Sequence, residues 1–221
     1  MYTIHYTPDT ASMVVRIVLT ELGVPAKHQL IDREAGMLDT PAYRAMNPLG
    51  QVPAFETPDG PMFETAAILL YLADKHNALA PAVTSAQRAA FLKWYFFISF
   101  NIHPTLLQLF YPERVAGADH VAPVVAAARE RMATYLSIFD SMVAAEKPDW
   151  FSPNEPSIMG HYIGMLMRWL AVYGPGHHTY FDLRDYRAIG PVLAMHEMRP
   201  AAQKIAQFEE LGAMPYTNPV S

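Results

Sequence analysis

The sequence predicts a small α/β domain followed by an all-α domain. Short β-rich segments alternate with amphipathic helical patterns in the first 76 residues. After residue 85 only helical patterns occur, and proline-rich joints separate them. Residues 77–85 contain Pro81 and small side chains, so we expect them to link residues 1–76 to residues 86–221.

The first domain begins with a predicted βαβ unit. Residues 2–6 are β-rich, residues 12–22 carry apolar side chains at helical spacing, and residues 28–31 form a second predicted strand. Gly23 and Pro25 follow the helical pattern, as is usual at a helix C-terminus. Two strands joined by a helix in this order are expected to pair in parallel.

The rest of the first domain contains further helices and strands. The predicted order is a helix, two antiparallel strands and a helix, at residues 41–46, 52–56, 61–63 and 65–76. A Pro58-Asp59-Gly60 turn joins the two strands. Pro53 lies inside the first of them. Because proline cannot donate to a sheet ladder, Pro53 predicts a strand end, an edge or a special peptide bond.

The second domain is predicted to be helical throughout. Apolar periodicity predicts four helices, at residues 87–110, 122–146, 158–173 and 193–211. Ser157 is placed to cap the third of these helices, but Gly160 stands where the reciprocal acid of a capping box would be. We expect this loss to cost on the order of 1 kcal/mol.

The composition excludes several classes of protein. The 221 residues include no cysteine, which rules out disulfides, zinc–thiolate sites, iron–sulfur clusters and a cysteine nucleophile. The net charge of −5, without a basic stripe, argues against nucleic acid as a partner. Motifs of metalloproteases, serine hydrolases and dinucleotide-binding proteins are absent, and the histidine pair at residues 177–178 lacks further ligands. Without a recognisable signal peptide or membrane span, the sequence predicts a cytoplasmic protein with no membrane partner.

Two motifs in the first domain carry a family resemblance. Residues 47–55 read Asn-Pro-Leu-Gly-Gln-Val-Pro-Ala-Phe, and residues 63–68 read Phe-Glu-Thr-Ala-Ala-Ile. In this order, before a helical second half, they resemble the glutathione transferase family over nearly the whole chain; residues 22–32 and 167–170 also fit. The resemblance implies a thioredoxin-like α/β N-terminal domain plus an all-α C-terminal helical domain. It also implies a detoxifying, homodimeric enzyme with glutathione as co-substrate.

The implied reaction is attack of the glutathione thiolate on a small apolar electrophile, by substitution or addition. Bacterial beta-class members are the most similar in overall pattern, and they carry a catalytic cysteine where this chain has Ala11. Ser12 and Thr10 are therefore equal candidates to assist the thiolate, with Tyr6 as a third. The N-terminus of the first helix would also lower the thiol pKa. Ser12 and Thr10 have an alternative role as N-caps of that helix.

The resemblance also implies which residues bind glutathione. The proline that matches Pro53 is cis in the family and leaves the backbone of Val52 free to pair with the cysteinyl part. Thr65 would bind the γ-glutamyl carboxylate at a helix N-terminus, and Glu64 or Gln51 would face the ammonium. The alternative for Thr65 is a simple N-cap.

The second domain supplies the remaining candidates. His103 matches a beta-class histidine that faces the tripeptide, although Pro104 replaces the lysine that follows it there. Its alternative is a buried polar residue among phenylalanines. No metal site is expected. The expected electrophile pocket contains Tyr6, Phe100, Leu107 and Phe110.

Two other functions fit the same resemblance. One is a related glutathione-dependent disulfide reductase, peroxidase or isomerase, because one glutathione can exchange with another without a protein cysteine. The other is a non-catalytic binding module of the same fold, which the missing cysteine, lysine and capping acid favour.

Overall fold

A four-stranded mixed sheet forms the centre of the first third of the chain. The computed structural model describes residues 1–220. The strands are β1 (Tyr2–Tyr6), β2 (Ala26–Leu30), β3 (Ala54–Thr57) and β4 (Gly60–Met62). Their order in the sheet is β2-β1-β3-β4, with β1 parallel to β2 and antiparallel to β3, and β3 antiparallel to β4. The predicted βαβ unit and antiparallel return are therefore confirmed.

Three helices accompany this sheet. They are α1 (Ser12–Glu21), α2 (Pro41–Met46) and α3 (Thr65–His76). α1 is buried from Ser12 to Leu19 because it lies between the sheet and the helical half of the molecule. α2 covers the other face of the sheet, where Tyr43 packs with Ile31 and Ala54.

The rest of the chain is helical, as predicted. Its helices are α4 (Arg88–Phe97), α5 (His103–Phe110), α6 (Glu113–Ala116), α7 (Val121–Glu146), α8 (Ile158–Ala171), α9 (Ile189–Glu197) and α10 (Pro200–Phe208). Together with the mixed sheet, they confirm the predicted fold class. Residues 77–87 contain neither helix nor strand, and we propose residues 77–85 as the linker.

Two of the predicted helices differ from the observed ones. The single helix expected at residues 87–110 is interrupted by a π-helical turn, Ile98–Ile102, which joins α4 to α5. The single helix expected at residues 193–211 is wrong, because Pro200 begins a new helix rather than continuing α9. Pro191, expected in a joint, lies in the first turn of α9, where its missing N–H leaves no bond unmade.

One hydrophobic core runs through both halves of the molecule. It joins Ile4 of the sheet and Val15 of α1 to Leu69 of α3 and to Tyr162 and Leu166 of α8. The proposed division into residues 1–76 and 86–221 is therefore not a division of the core. α8 is the central helix, buried along most of its length.

The start of α8 explains the missing acid of the capping box. Ser157 accepts a hydrogen bond from the Gly160 N–H at 2.9 Å, so half of the box remains. A Cβ atom on Gly160 would lie only 2.0 Å from Nδ1 of His196. The ring of His196 is itself fixed, because its Nε2 donates to the carbonyls of Ser152 and Glu155 at 2.8 and 3.0 Å. Only glycine fits at this position.

Residues 1–220 contain neither a candidate membrane-spanning helix nor a candidate metal cluster. No helix there combines the length and the apolar character needed to cross a bilayer. No group of three or more histidine, aspartate or glutamate side chains is arranged to hold a metal ion.

Candidate active site

The loop at residues 47–52 leads into β3 and presents an unpaired backbone. The Val52–Pro53 peptide bond is cis, in agreement with the resemblance. Asn47 and Tyr43 fix the loop, since both side chains donate to the Gln51 carbonyl at 2.8 Å. Within residues 1–220, neither the N–H nor the C=O of Val52 has a hydrogen-bond partner. Val52 can therefore pair with an extended peptide.

The N-terminus of α3 provides a second set of free donors. Glu64 occupies the N-cap position with φ 70° and ψ 110°, and no side chain caps the helix. The interpretation of Thr65 as an N-cap is therefore wrong, because Thr65 is the first helical residue. The first bond of α3 runs from the Ile68 N–H to the Glu64 carbonyl at 3.0 Å, so the preceding helical N–H groups remain available. This end of a 12-residue helix suits an anion.

In the loop between β1 and α1, by contrast, the hydroxyl groups are already hydrogen-bonded within the loop. Ser12 is fully buried, and its Oγ donates to the Thr7 carbonyl at 3.0 Å and accepts from the Thr7 N–H at 3.3 Å. Thr10 is only partly buried; its Oγ1 donates to the same carbonyl at 2.7 Å and lies 2.7 Å from Ser12 Oγ. Ala11 takes the N-cap position of α1 without a side-chain hydrogen bond, and Ser12 is the first helical residue, so the N-capping role expected of Ser12 is wrong. Thr10 keeps part of that role, because its Oγ1 accepts from the Ser12 N–H at 3.4 Å.

These contacts separate the two hydroxyl candidates. Each hydroxyl carries one proton. Ser12 is buried inside the loop, and its hydroxyl donates its one hydrogen bond there, to the Thr7 carbonyl. Because Ser12 also bonds the Thr7 carbonyl, Thr10 can turn its proton toward a ligand without leaving that carbonyl unpaired.

His103 lies at the start of α5, directly after the π-helical turn. Its N–H bonds to the Ile98 carbonyl five residues earlier, which is the signature of that turn. Its Nδ1 lies 2.7 Å from the Tyr162 hydroxyl, and its ring packs 6.0 Å from that of Trp169. Burial lowers the pKa of His103 to about 4, so the ring is neutral at pH 7.

The hydroxyl of Tyr162 decides which ring nitrogen of His103 carries the proton. Burial, assisted by the carboxylate of Glu64, raises the pKa of Tyr162 well above its usual value, so the phenol remains protonated. It has no other hydrogen-bond partner within the described residues 1–220, and it therefore donates to Nδ1. The remaining nitrogen of His103, Nε2, is then an N–H donor.

The residues expected in the electrophile pocket do not form one cluster. Phe110 pairs with Tyr173 at 5.9 Å, just beyond the end of α8. Phe100 is 71% exposed and stacks on Phe96 at 5.7 Å, and Leu107 is also exposed.

Tyr6 lies apart from these side chains. Its ring has the Arg16 guanidinium above it at 4.0 Å and the edge of Phe208 at 6.3 Å. The ring of Tyr6 also meets the His28 ring of β2 at 6.3 Å, so its contacts are with α1, α10 and the neighbouring strand.

Comparison with known proteins decides the family. The family model of the glutathione S-transferase N-terminal domain matches residues 2–74. The uncharacterized GST-like protein YncG of Escherichia coli (strain K12) is 30% identical over 190 residues, which cover 82% of this chain and 86% of that protein. The chain belongs to the glutathione S-transferase family. Glutathione S-transferase GstA of Escherichia coli O157:H7 is 29% identical over 171 residues, 75% of this chain and 81% of that protein.

A solved transferase and a more distant relative extend the comparison. The structure of a sphingomonad glutathione S-transferase, complexed with glutathione, matches with a TM-score of 0.75 at 27% identity. It covers 95% of this chain and 100% of the sphingomonad chain. Elongation factor 1-gamma of Prunus avium is 34% identical over 135 residues, which are 60% of this chain but only 29% of that protein. The glutathione S-transferase fold is thus confirmed, and it also occurs as part of a longer protein.

The sequence did not predict the contacts that hold the β1–α1 loop. Asp9 accepts two hydrogen bonds from the Arg168 guanidinium, both at 2.8 Å, and one from Trp169 Nε1 at 3.1 Å. Its own N–H donates to Glu209 Oε2 at 2.8 Å. Residues 167–170 fit the family resemblance, but the sequence does not indicate that Arg168 and Trp169 contact Asp9.

An open groove of about 680 Å³ adjoins the same loop. It lies between Thr7 and the segment that follows β2. The exposed side chain of Arg33 contributes a cation to its lining, but Asp32, Glu34 and Asp39 also line it, so the groove as a whole is acidic.

Proposed function

We propose that the protein is a glutathione transferase that activates the thiol of glutathione as a thiolate for attack on small apolar electrophiles. The observation that carries the proposal is the strand register that leads to two unpaired backbone regions. β3 and β4 pair with Phe55 opposite Met62. Continued by three residues, the same register would place Val52 opposite Thr65, so that a peptide acceptor and an anion site would lie side by side, as an acidic tripeptide requires.

The proposed binding mode follows from these two regions. The γ-glutamyl carboxylate accepts from the free N–H groups of α3 and from the Thr65 hydroxyl. The exposed side chains of Glu64 and Gln51 face the ammonium group. Val52 pairs with the cysteinyl residue through its backbone, next to Pro53.

The proposed chemistry takes place where the cysteinyl sulfur meets the β1–α1 loop. The thiol loses its proton to solvent, and the thiolate is stabilised by the Thr10 hydroxyl, by the N-terminus of α1 and by Nε2–H of His103. The sulfur then forms a bond to the electrophilic carbon. In a substitution the leaving group departs with the electron pair of its bond, and in an addition the adjacent atom takes up a proton.

The helical half supplies the apolar side of the site in this proposal. The Trp169 ring beside His103 and the Phe110–Tyr173 pair offer flat surfaces to an electrophile, and Leu107, on the same helix as Phe110, is exposed to solvent. Binding both reactants in one cleft would provide much of the acceleration.

We also propose a homodimer, as the family resemblance implies. Phe63 from the first half and the Phe96–Phe100 pair from α4 and the π-helical turn are exposed aromatic residues. In a dimer that packs the first half of one subunit on the helices of the other, these side chains would be covered. Sedimentation of the purified protein tests this proposal, and a monomer at all concentrations would contradict it.

One observation favours a non-catalytic glutathione-binding module as the second candidate. Both hydroxyls at the thiol end are engaged inside their own loop, and the beta-class cysteine is replaced by Ala11. A module of this kind would bind glutathione without lowering its thiol pKa.

Calorimetric titration with glutathione, followed by two activity assays, tests these functions. The transferase predicts binding and conjugation to an activated aryl halide or an unsaturated carbonyl compound. Binding with reduction of a mixed glutathione disulfide, but without conjugation, would indicate the reductase alternative. Binding with neither activity would indicate the glutathione-binding module. Absence of binding would reject both enzymes and would favour a non-catalytic interaction module that keeps only the fold.

A further inference from the structure

We propose that Asp9 is a positioning residue that sets the thiol end of the site, and that Arg168 and Trp169 hold it in place. The inference rests on the transferase function proposed above. Asp9 directly precedes Thr10, the hydroxyl proposed to face the sulfur. Any constraint on Asp9 is therefore transmitted to Thr10 through one peptide unit.

The carboxylate of Asp9 is bound in a geometry that fixes both its position and its plane. Two guanidinium nitrogens of Arg168 donate to its two oxygens at 2.8 Å, and such paired bonds leave little rotational freedom. Arg168 is only 2% exposed and lies on the central helix α8, where its guanidinium also donates to the carbonyls of Leu211 and Val220 at 3.3 and 3.1 Å. The loop is thus anchored to the most buried helix of the protein.

The backbone of Asp9 is held from a second direction. Its N–H donates to Glu209, just after α10, and the Glu209 carboxylate is also paired with Arg16 of α1. Asp9 has φ 50°, a left-handed conformation that aspartate tolerates better than most residues. Two carboxylates and two guanidiniums therefore neutralise one another around the loop. Because these charges cancel, Asp9 acts by positioning the loop rather than by its electrostatic field.

The same carboxylate also sets the electrophile side of the cleft. Oδ1 of Asp9 accepts from both Arg168 Nε and Trp169 Nε1, so the indole ring is oriented by the group that orients Thr10. The Trp169 ring in turn packs against His103. Asp9 therefore fixes the distance between the hydroxyl of Thr10 and the ring of Trp169. The reaction rate depends steeply on such distances between bound reactants.

The test uses two variants for which a positioning role and an electrostatic role predict different thiol pKa values. Asp9→Gly removes the carboxylate, and glycine accepts the left-handed backbone without strain. Arg168→Lys keeps the positive charge but loses the paired bonds. The thiol pKa of bound glutathione is measured from the ultraviolet absorbance of the thiolate as a function of pH. Positioning predicts that both variants raise this pKa by about one unit and lower kcat, with little change in KM for glutathione.

A purely electrostatic role predicts a different pair of results. Loss of a negative charge in Asp9→Gly would lower the thiol pKa, and Arg168→Lys would leave it unchanged; either result would overturn the proposal. The control is Asp182→Gly, which breaks a similar aspartate–arginine pair with Arg184 on the outside of the helical half. This control should leave the thiol pKa unchanged.

The wild-type protein separates failure of this inference from failure of the proposed function. A wild type that leaves the thiol pKa at the value of free glutathione would overturn both. A wild type with a lowered thiol pKa that Asp9→Gly does not raise would overturn only the role of Asp9. If circular dichroism shows that Asp9→Gly is unfolded, Asp9→Asn takes its place; asparagine keeps the shape and the backbone preference but cannot form the paired ionic bonds. The same rise in thiol pKa is then expected, and no rise would overturn the proposal.

Discussion

The two ends of the glutathione cleft are built in opposite ways. At the Val52 and Thr65 end, the protein presents backbone groups that have no partner within residues 1–220. At the β1–α1 end, the Ser12 and Thr10 hydroxyls are already bonded inside the loop, and Asp9 ties that loop to α8. In the proposed site, the first end would bind a ligand through these unpaired backbone groups, whereas the second end is already held in place by its own hydrogen bonds.

The largest expected effect is on stability, and it concerns the packing of α8, the helix to which the closed end is tied. Gly160→Ala should lower the free energy of unfolding by about 3 kcal/mol, because the new methyl group would overlap the fixed ring of His196. The measurement is denaturant unfolding. Gly190→Ala is the matched control, since Gly190 has no neighbour within 3.8 Å of the added atom and alanine favours a helix by up to ~1 kcal/mol. Equal destabilisation by the two variants would contradict the steric explanation.

The next effect tests the open end. Thr65→Val keeps the shape of the side chain but removes the hydroxyl, and a hydrogen bond to a carboxylate contributes about 1.5–3 kcal/mol. We therefore expect the Kd for glutathione, measured by calorimetry, to rise at least about tenfold. Thr134→Val on the outer face of α7 is the control and should leave the Kd unchanged. An unchanged Kd in Thr65→Val would mean that the helix N–H groups act alone.

A third pair of variants tests the difference between the two hydroxyls. Ser12→Ala leaves the Thr7 N–H unpaired, so it should lower the free energy of unfolding by about 1–3 kcal/mol while the thiol pKa of bound glutathione stays constant. Thr10→Val should raise that thiol pKa by about one unit and change stability less. Denaturant unfolding and thiolate absorbance provide the two measurements. The reverse result would make Ser12 the assisting group.

A further effect concerns the pH dependence of the scaffold behind the closed end. Burial, together with nearby His161, lowers the pKa of His196 to about 4, and its buried Nδ1 has no acceptor for an added proton. The unfolded chain takes up that proton near pH 6.5 and the folded protein does not. Stability from this group is therefore complete above pH 6.5 and is lost as the pH falls toward 4.

His196→Gln removes this titration and keeps a donor for the Ser152 carbonyl. The free energy of unfolding, measured by denaturant titration at several pH values between 7 and 4, should fall less steeply in this variant than in the wild type. His161, whose pKa burial also lowers, keeps part of the slope. His120→Gln on the exposed surface should retain the full wild-type slope. An equal slope in His196→Gln would exclude His196 as its source.

The parts of the site that the sequence predicts are those built from neighbouring residues. The motifs at residues 47–55 and 63–68 each form a short loop that leads into a strand or a helix. Their resemblance to the family implied the cis proline, and the helical pattern predicted the helix start at Thr65. The Asp9–Arg168 contact joins residues 159 positions apart, so no local pattern contains it. The burial of Ser12 is equally hidden, because the sequence does not reveal which way a loop hydroxyl turns.

The same limit explains the errors in the helical half. A period of 3.6 residues marks a helix but does not register one additional residue in a turn, so Ile98–Ile102 was expected to be α-helical. Apolar residues continue across Pro200, which made α9 and α10 look like one helix. Tyr6 could be assigned to a strand, but not to the face that contacts Arg16 and Phe208.

The π-helical turn has a consequence for changes in chain length. It accommodates one residue more than an α-helical turn, so α5 is rotated by about 100° relative to an uninterrupted continuation of α4. A deletion of one residue within Ile98–Ile102 would restore the regular helix and turn His103 away from Tyr162 without altering any remaining side chain. The direction in which His103 faces therefore depends on the number of residues in this turn. A change in the length of the turn would reorient His103 more than most substitutions would.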